Sequence, residues 1–196
     1  MNTTIISCST PIWLSMIVSG IIVIALSRTK LLKEPVNDGS GKYKYSFSKS
    51  QLVWWLWIIF SCFGGYYFCT NEIPVPNATI LWVLGISGAT TAVAMGTDMM
   101  NASNNVWRKV MVVEKRKILV TFLKEILSDA NGLSIYRLQA LLFNLLYGVI
   151  FLSTVIHNLE VSPQNATVFP DFDSNIRYLL IISNGTYAVL RTTETK

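Results

Sequence analysis

Long apolar runs, separated by segments that hold nearly all the basic residues, constrain this 196-residue chain more than any other feature. A membrane-crossing helix needs about 20 mostly apolar residues, because the hydrocarbon core is about 30 Å thick and each helical residue rises about 1.5 Å. Pro11 to Ser27, Gln51 to Cys69, Ala78 to Gly96 and Tyr136 to His157 all qualify. Ile176 to Leu190 is shorter and contains Arg177 and Asn184; it reads as a fifth crossing. Charged residues make up 14% of the chain, where a soluble domain carries about 25%. The expected fold is all-α: a polytopic transmembrane helix bundle of about five spans.

The basic residues orient this bundle. Arg28, Lys30, Lys33, Lys42, Lys44 and Lys49 follow the first run. Arg108, Lys109, Lys115, Arg116, Lys117, Lys124 and Arg137 follow the third, and Arg191 and Lys196 follow the fifth. With five spans all of these fall on one side, leaving only Arg177 opposite, beside Glu72, Glu160, Asp171 and Asp173. The positive-inside rule then puts the N-terminus outside and the basic loops in the cytoplasm. Residues 1–10 contain no Lys or Arg, so the first run reads as a reverse-oriented anchor rather than a cleaved leader. The net charge of +5 needs no nucleic acid to explain it, since topology and anionic lipid already favour it. Cys8, Cys62 and Cys69 are odd in number, and their spacing suggests neither a disulfide framework nor a metal site. His157 is the sole histidine and reads as a hydrated interfacial residue. No metal or other cofactor is expected, and no nucleophile–base pair points to an enzyme.

The chain also repeats itself. Ser46-Phe47-Ser48-Lys49-Ser50-Gln51 precedes the second run, and Ser134-Ile135-Tyr136-Arg137-Leu138-Gln139 precedes the fourth, 88 residues later. Leu84-Gly85-Ile86-Ser87-Gly88-Ala89-Thr90 lies over Leu180-Ile181-Ile182-Ser183-Asn184-Gly185-Thr186 at an offset of 96. Asn77-Ala78-Thr79 and Asn165-Ala166-Thr167 recur in the connecting loops. Two blocks in the same order suggest two parallel helical-hairpin repeats plus an N-terminal span. The resulting division is an N-terminal span at 1–27, a cytoplasmic linker at 28–50 and a first hairpin at 51–96. A cytoplasmic amphipathic basic segment at 97–133 and a second hairpin with a short tail at 134–196 complete it. The linker, with Pro35, Asn37, Asp38, Gly39, Ser40 and Gly41, reads as a flexible turn.

Neutral polar residues within the runs are the candidates for a pore or gate: Gln51, Ser87, Thr90, Gln139, Asn144, Ser183, Asn184 and Thr186. Turned inward, such groups line a narrow aqueous path; turned to a neighbouring helix, they are packing glue. Gly85, Gly88, Ala92 and Gly96 form a small-residue row suited to helix packing, within one subunit or between subunits. Trp54, Trp55 and Trp57 on one side, with Trp13 and Trp82 on the other, read as aromatic belts. Residues 106–128 combine helical apolar spacing, through Ile118, Leu119, Phe122, Leu123, Ile126 and Leu127, with positive charge. Arg108, Lys109, Lys115, Arg116 and Lys117 there form a candidate platform for phosphates of a nucleotide or oligonucleotide, or for a cytoplasmic protein partner.

The repeated Ser-x-x-Lys/Arg-x-Gln and Leu-x-Ile-Ser-x-x-Thr blocks resemble small bacterial multi-span membrane proteins built from two such hairpins. The resemblance covers residues 45–96 and 132–190. The chain also looks like the membrane effectors of anti-phage defence systems. That likeness implies a homo-oligomeric channel or pore-forming effector in the bacterial inner membrane, gated by a cytoplasmic ligand. The alternative is a membrane anchor or sensor subunit that recruits a soluble partner.

Overall fold

The computed structural model of the chain describes residues 8–27, 29–35, 43–103, 118–129, 132–162 and 168–193. Among them are six helices: α1 (Ser9–Ser27), α2 (Phe47–Thr70), α3 (Ala78–Ser103), α4 (Ile118–Leu127), α5 (Ile135–Val161) and α6 (Ser174–Thr193). Stretches of α1, α2, α3 and α5, namely Thr10–Ser27, Phe47–Thr70, Ala78–Met100 and Ile135–Val161, are long and apolar enough to cross a membrane. The 20-residue α6 is long enough but more polar, because it carries Asn175, Arg177, Ser183, Asn184 and Arg191.

Two short antiparallel ribbons qualify the all-α expectation. β1 (Lys33–Pro35) pairs with β2 (Tyr43–Tyr45) immediately before α2. β3 (Ser128–Asp129) pairs with β4 (Gly132–Leu133) immediately before α5. The ends of the linker expected to be a flexible turn are therefore hydrogen-bonded to each other. Gly132 takes φ +123°, a conformation in which a side chain would be strained, and so allows the second ribbon to turn.

α2 lies at the centre and packs against α1, α3 and α5, while α6 packs against α3 and α5. Its buried stripe includes Trp55, Ile58, Ile59 and Cys62. These meet Ile80 and Val83 of α3, Phe151, Val155 and Leu159 of α5, and Leu180 of α6 in one core. The outward faces remain apolar: Leu14, Ile17 and Ile21 of α1, Leu142 and Val149 of α5, and Ile182 and Val189 of α6 are exposed. A surface of that kind suits hydrocarbon rather than water.

The bundle has two unlike ends. At one, Cys8 and Cys69 form a disulfide that joins the start of α1 to the end of α2, with Cα atoms 5.5 Å apart. This corrects the expectation of no disulfide framework: Cys8 and Cys69 lie 61 residues apart, and only the antiparallel packing of α1 on α2 brings them together. Cys62 stays free and buried. Here too Asn77 caps α3 by accepting from the Ile80 amide, while its Nδ2 donates to the carbonyls of Phe169 and Pro170. The Thr79 hydroxyl donates to Asp171 and accepts from the Phe172 amide. The Asn-Ala-Thr motif of the first loop thus stitches one hairpin to the other. At the opposite end sit both ribbons and α4. Ile126 of α4 is buried with Phe47, Ala140 and Tyr187, and Glu125 accepts from the Tyr45 amide at 2.9 Å.

Candidate functional site

Both hairpins open with the same construction. Ser46 and Ser134 are the N-caps of α2 and α5, in similar extended conformations (φ −93° and −105°). The Ser46 amide donates to the Leu32 carbonyl, and the Ser134 amide donates to the Leu127 carbonyl, both at 2.9 Å. Three residues further on, Lys49 Nζ donates to the carbonyl of Lys33 at 2.9 Å, and Arg137 Nη1 to that of Ser128 at 2.7 Å. Lys33 pairs with Tyr45, and Ser128 with Leu133, so both acceptors occupy the same ribbon register. The basic residue of each repeated block therefore ties its helix to the ribbon that precedes it.

The two glutamines that follow part company. Gln51 is buried, and its Nε2 donates to Ser87 Oγ of α3 at 3.4 Å. Its Oε1 is buried without a hydrogen-bond partner. Gln139 is exposed. The asymmetry follows from rotation about the helix axes, since Gln51 lies on the face of α2 turned to α3 and Gln139 on an outward face of α5.

The other polar candidates are drawn into the protein. Asn144 of α5 is buried, and its Oδ1 accepts from Trp55 Nε1 at 2.7 Å. Its Nδ2 donates to the Ala140 carbonyl at 2.6 Å and to Asn184 Oδ1 at 3.1 Å. Asn184 donates in turn to the Leu180 carbonyl at 2.9 Å. This chain links α2, α5 and α6 and meets the hydrogen-bonding needs of both asparagines. Ser87, Thr90 and Ser183 are buried too, with Thr90 bonding Ile86 and Ser183 bonding Leu180 on their own helices. Thr186 is exposed and bonds the Ile182 carbonyl. Buried and mutually satisfied groups act as glue between helices.

The tryptophans depart from the belt expectation on one side. Trp55 is almost wholly buried; Trp54 donates to the Asn144 carbonyl and Trp57 to the Met16 carbonyl. Trp13 and Trp82 are about half exposed, as a belt requires.

Close helix contact comes from glycines outside the expected row. A methyl group on Gly65 would collide with Ile12 of α1, and one on Gly64 with Ser15. One on Gly148 of α5 would lie 2.6 Å from Trp54 Nε1. A methyl on Gly85, Gly88 or Gly96 would meet nothing within 4 Å, and Ala92 is exposed. Among the described residues, no other helix closes on the glycines of this row. The platform residues Arg108, Lys109, Lys115, Arg116 and Lys117 lie outside the described residues.

The strongest electrostatic feature is one that sequence reasoning missed. Arg191, read as part of the basic tail after the fifth run, is fully buried near the end of α6. Its Nη2 donates to Glu34 of β1 at 2.8 Å and to both Asp98 oxygens at 2.8 and 2.9 Å; its Nη1 donates to the Tyr187 hydroxyl at 2.8 Å. Lys44 of β2 lies 3.5 Å from Glu34. Two cations and two carboxylates thus cancel where isolated charges would be expensive. Burial by itself raises the Glu34 carboxyl, but the Arg191 guanidinium and Lys44 ammonium more than reverse this and hold it at about 2. The available signal was a lone acid, Asp98, just past the third run and a basic residue, Arg191, just past the fifth, and it does not by itself name the pair.

Among the described residues, no group of three His, Cys, Asp or Glu side chains is placed to hold a metal ion. Comparison with known proteins finds no matching family, no matching curated protein and no matching solved structure.

Proposed function

We propose that the chain is a five-span protein of the bacterial inner membrane, N-terminus outside, that assembles with copies of itself around a conducting path. The observation that carries assembly is the bare face of α3, where Gly85 and Gly88 have open space opposite them and Ala89 and Ala92 are exposed. Small residues let helix backbones approach closely in lipid, where apolar burial supplies little drive. Because the asparagine chain is consumed inside the subunit, the conducting path runs between subunits. Basic residues at its inner mouth favour anions.

Three further observations support this reading. The matched ribbon, cap and basic-residue contacts at the starts of α2 and α5 support duplicated hairpins. A crossing by α6 is supported by its length and by the burial of Asn184 and Arg191 against α5 and α3. The orientation is supported by the disulfide, since such bonds persist on the oxidising side of a bacterial membrane, and it sits at the end away from the ribbons. A nucleotide or oligonucleotide gate rests on the charge of residues 108–117, and a role in anti-phage defence on resemblance.

Native mass spectrometry and bilayer recording test the proposal together. The expected result is an oligomer that conducts when a cyclic nucleotide or short oligonucleotide is added, with Gly85→Leu and Ala89→Leu yielding silent monomers. A monomeric wild type overturns assembly; an oligomer silent to every such ligand overturns conduction. The second reading, an anchor or sensor for a soluble partner, is favoured by α4, which docks on the ribbon end directly after the basic segment. It expects a stoichiometric cytosolic protein to copurify and to be lost in Arg116→Glu/Lys117→Glu.

A further inference from the structure

A pocket of about 200 Å³ lies between α2, α4 and α5. Phe47, Phe122, Ile126 and Leu141 form apolar walls; the indole N–H of Trp54 is spent on the Asn144 carbonyl, and the other polar lining is Ser50, Gln51 and Asn144. Two of these are already engaged. Asn144 uses its side-chain oxygen and nitrogen within the asparagine chain, and the Ser50 hydroxyl donates to the Ser46 carbonyl at 2.7 Å. Gln51 is 6% exposed, and one atom of its amide has no partner. Burying a polar atom without a partner is unfavourable, and Gln51 is the one polar lining side chain with hydrogen-bonding capacity left over, against an otherwise greasy lining.

We propose that this pocket binds a small aliphatic alcohol: an apolar body with a single hydroxyl directed at Gln51. Size sets the body, since an apolar cavity of about 150 Å³ accepts benzene and this one is modestly larger. The amide sets the head group. Gln51 Nε2 meets Ser87 Oγ, but a half-turn of the amide presents its oxygen to that hydroxyl instead and leaves the NH2 unmatched. A hydroxyl donates or accepts and satisfies either arrangement, whereas an alkylammonium only donates and a ketone only accepts. The route is sideways from lipid: Leu123 of α4 and Leu145 of α5, each 39% exposed, line the pocket among apolar surface. The site is independent of conduction and of assembly, because all its residues come from one subunit.

The test uses the full-length protein in nanodiscs of phosphatidylethanolamine and phosphatidylglycerol, photolabelled with 3-azioctanol and mapped by mass spectrometry. Saturable adducts are expected within residues 47–54, 122–126 and 141–145, displaced by excess 1-octanol and not by octane. Gln51→Leu is expected to weaken labelling about five-fold, the loss of one hydrogen bond, and Leu141→Trp to abolish it by filling the space. An intact Cys8–Cys69 bond and a monodisperse profile confirm that each variant is folded. If Gln51→Leu does not fold, the octanol–octane comparison on the wild type decides. Equal displacement by octane overturns the proposal in favour of a lipid-chain slot. Non-saturable adducts spread along α1, or unchanged labelling in folded Gln51→Leu, overturn it outright.

Discussion

The first hairpin, α2 with α3, and the second, α5 with α6, share their opening chemistry and diverge within three turns. Each begins with a ribbon, a serine cap and a cation bonded back to the ribbon. Beyond that point, positions 88 residues apart face different surroundings. Gly148 is pressed against Trp54, while its counterpart Phe60 is 64% exposed. Asn144 anchors a buried hydrogen-bond chain, while its counterpart is Leu56. At the offset of 96, buried Arg191 corresponds to half-exposed Met95. Local backbone chemistry is thus common to both hairpins, and the neighbours of each helix decide what its side chains do.

The largest expected effect breaks the comparison at Arg191. Arg191→Met leaves the buried Glu34 and the half-buried Asp98 without their shared cation, and losing one member of such a group costs about 3–5 kcal/mol. Thermal unfolding in nanodiscs should show a large drop, whereas Met95→Leu should leave the midpoint unchanged. A comparable stability for both would mean the charge cluster contributes nothing.

Next comes Asn144→Leu, which strips partners from Trp55 Nε1 and Asn184 Oδ1. An unmet buried polar group costs about 1–3 kcal/mol. Gln139→Leu, on the exposed side of the same helix, should change stability by no more than about 0.5 kcal/mol. Chemical denaturation of both variants in the same detergent checks the contrast.

Overpacking sharpens the comparison at the glycines. Gly148→Ala forces Trp54 or Ile58 to shift, at about 1–3 kcal/mol. Gly85→Ala meets nothing within the subunit, and measured on monomers it should be neutral or slightly stabilising, by about 0.4–1 kcal/mol, because alanine narrows the unfolded ensemble. A destabilised monomeric Gly85→Ala would show that α3 has a partner within its own subunit.

The smallest effect at neutral pH is titration of Glu34. Its carboxyl is held at about 2 in the folded protein, below the roughly 4.3 of a free glutamate. The stability it confers is complete above that value and is lost as pH falls toward 2, because the unfolded chain then binds the proton first. Glu34→Gln should flatten this acid limb of the stability curve, measured from pH 5 down to 2.

How much was legible from residues alone differs from element to element. The apolar runs and the repeated blocks before the second and fourth were plain, because hydropathy over 20 residues and a recurring short motif are local signals. α2 and α5 start within a few residues of where the runs place them. The candidate site was legible only as a set of polar residue types. That Asn144 finds Asn184 and Trp55, and that Gln51 keeps an open acceptor while Gln139 points outward, depends on rotation about each helix axis, and in lipid both the core and the surface are apolar, so periodicity barely distinguishes them. The ribbons were missed because two or three residues per strand leave no alternation to detect.

By itself the chain's composition and order determined which segments are helical and greasy enough to enter a membrane, since every backbone group in hydrocarbon must be bonded internally and a helix achieves that segment by segment. Only tertiary structure decided that Cys8 meets Cys69, that Arg191 meets Glu34 and Asp98, and that the close glycines are 64, 65 and 148 rather than those of α3. Each of these pairs partners far apart along the chain, and their meeting depends on how whole helices pack rather than on any local residue preference.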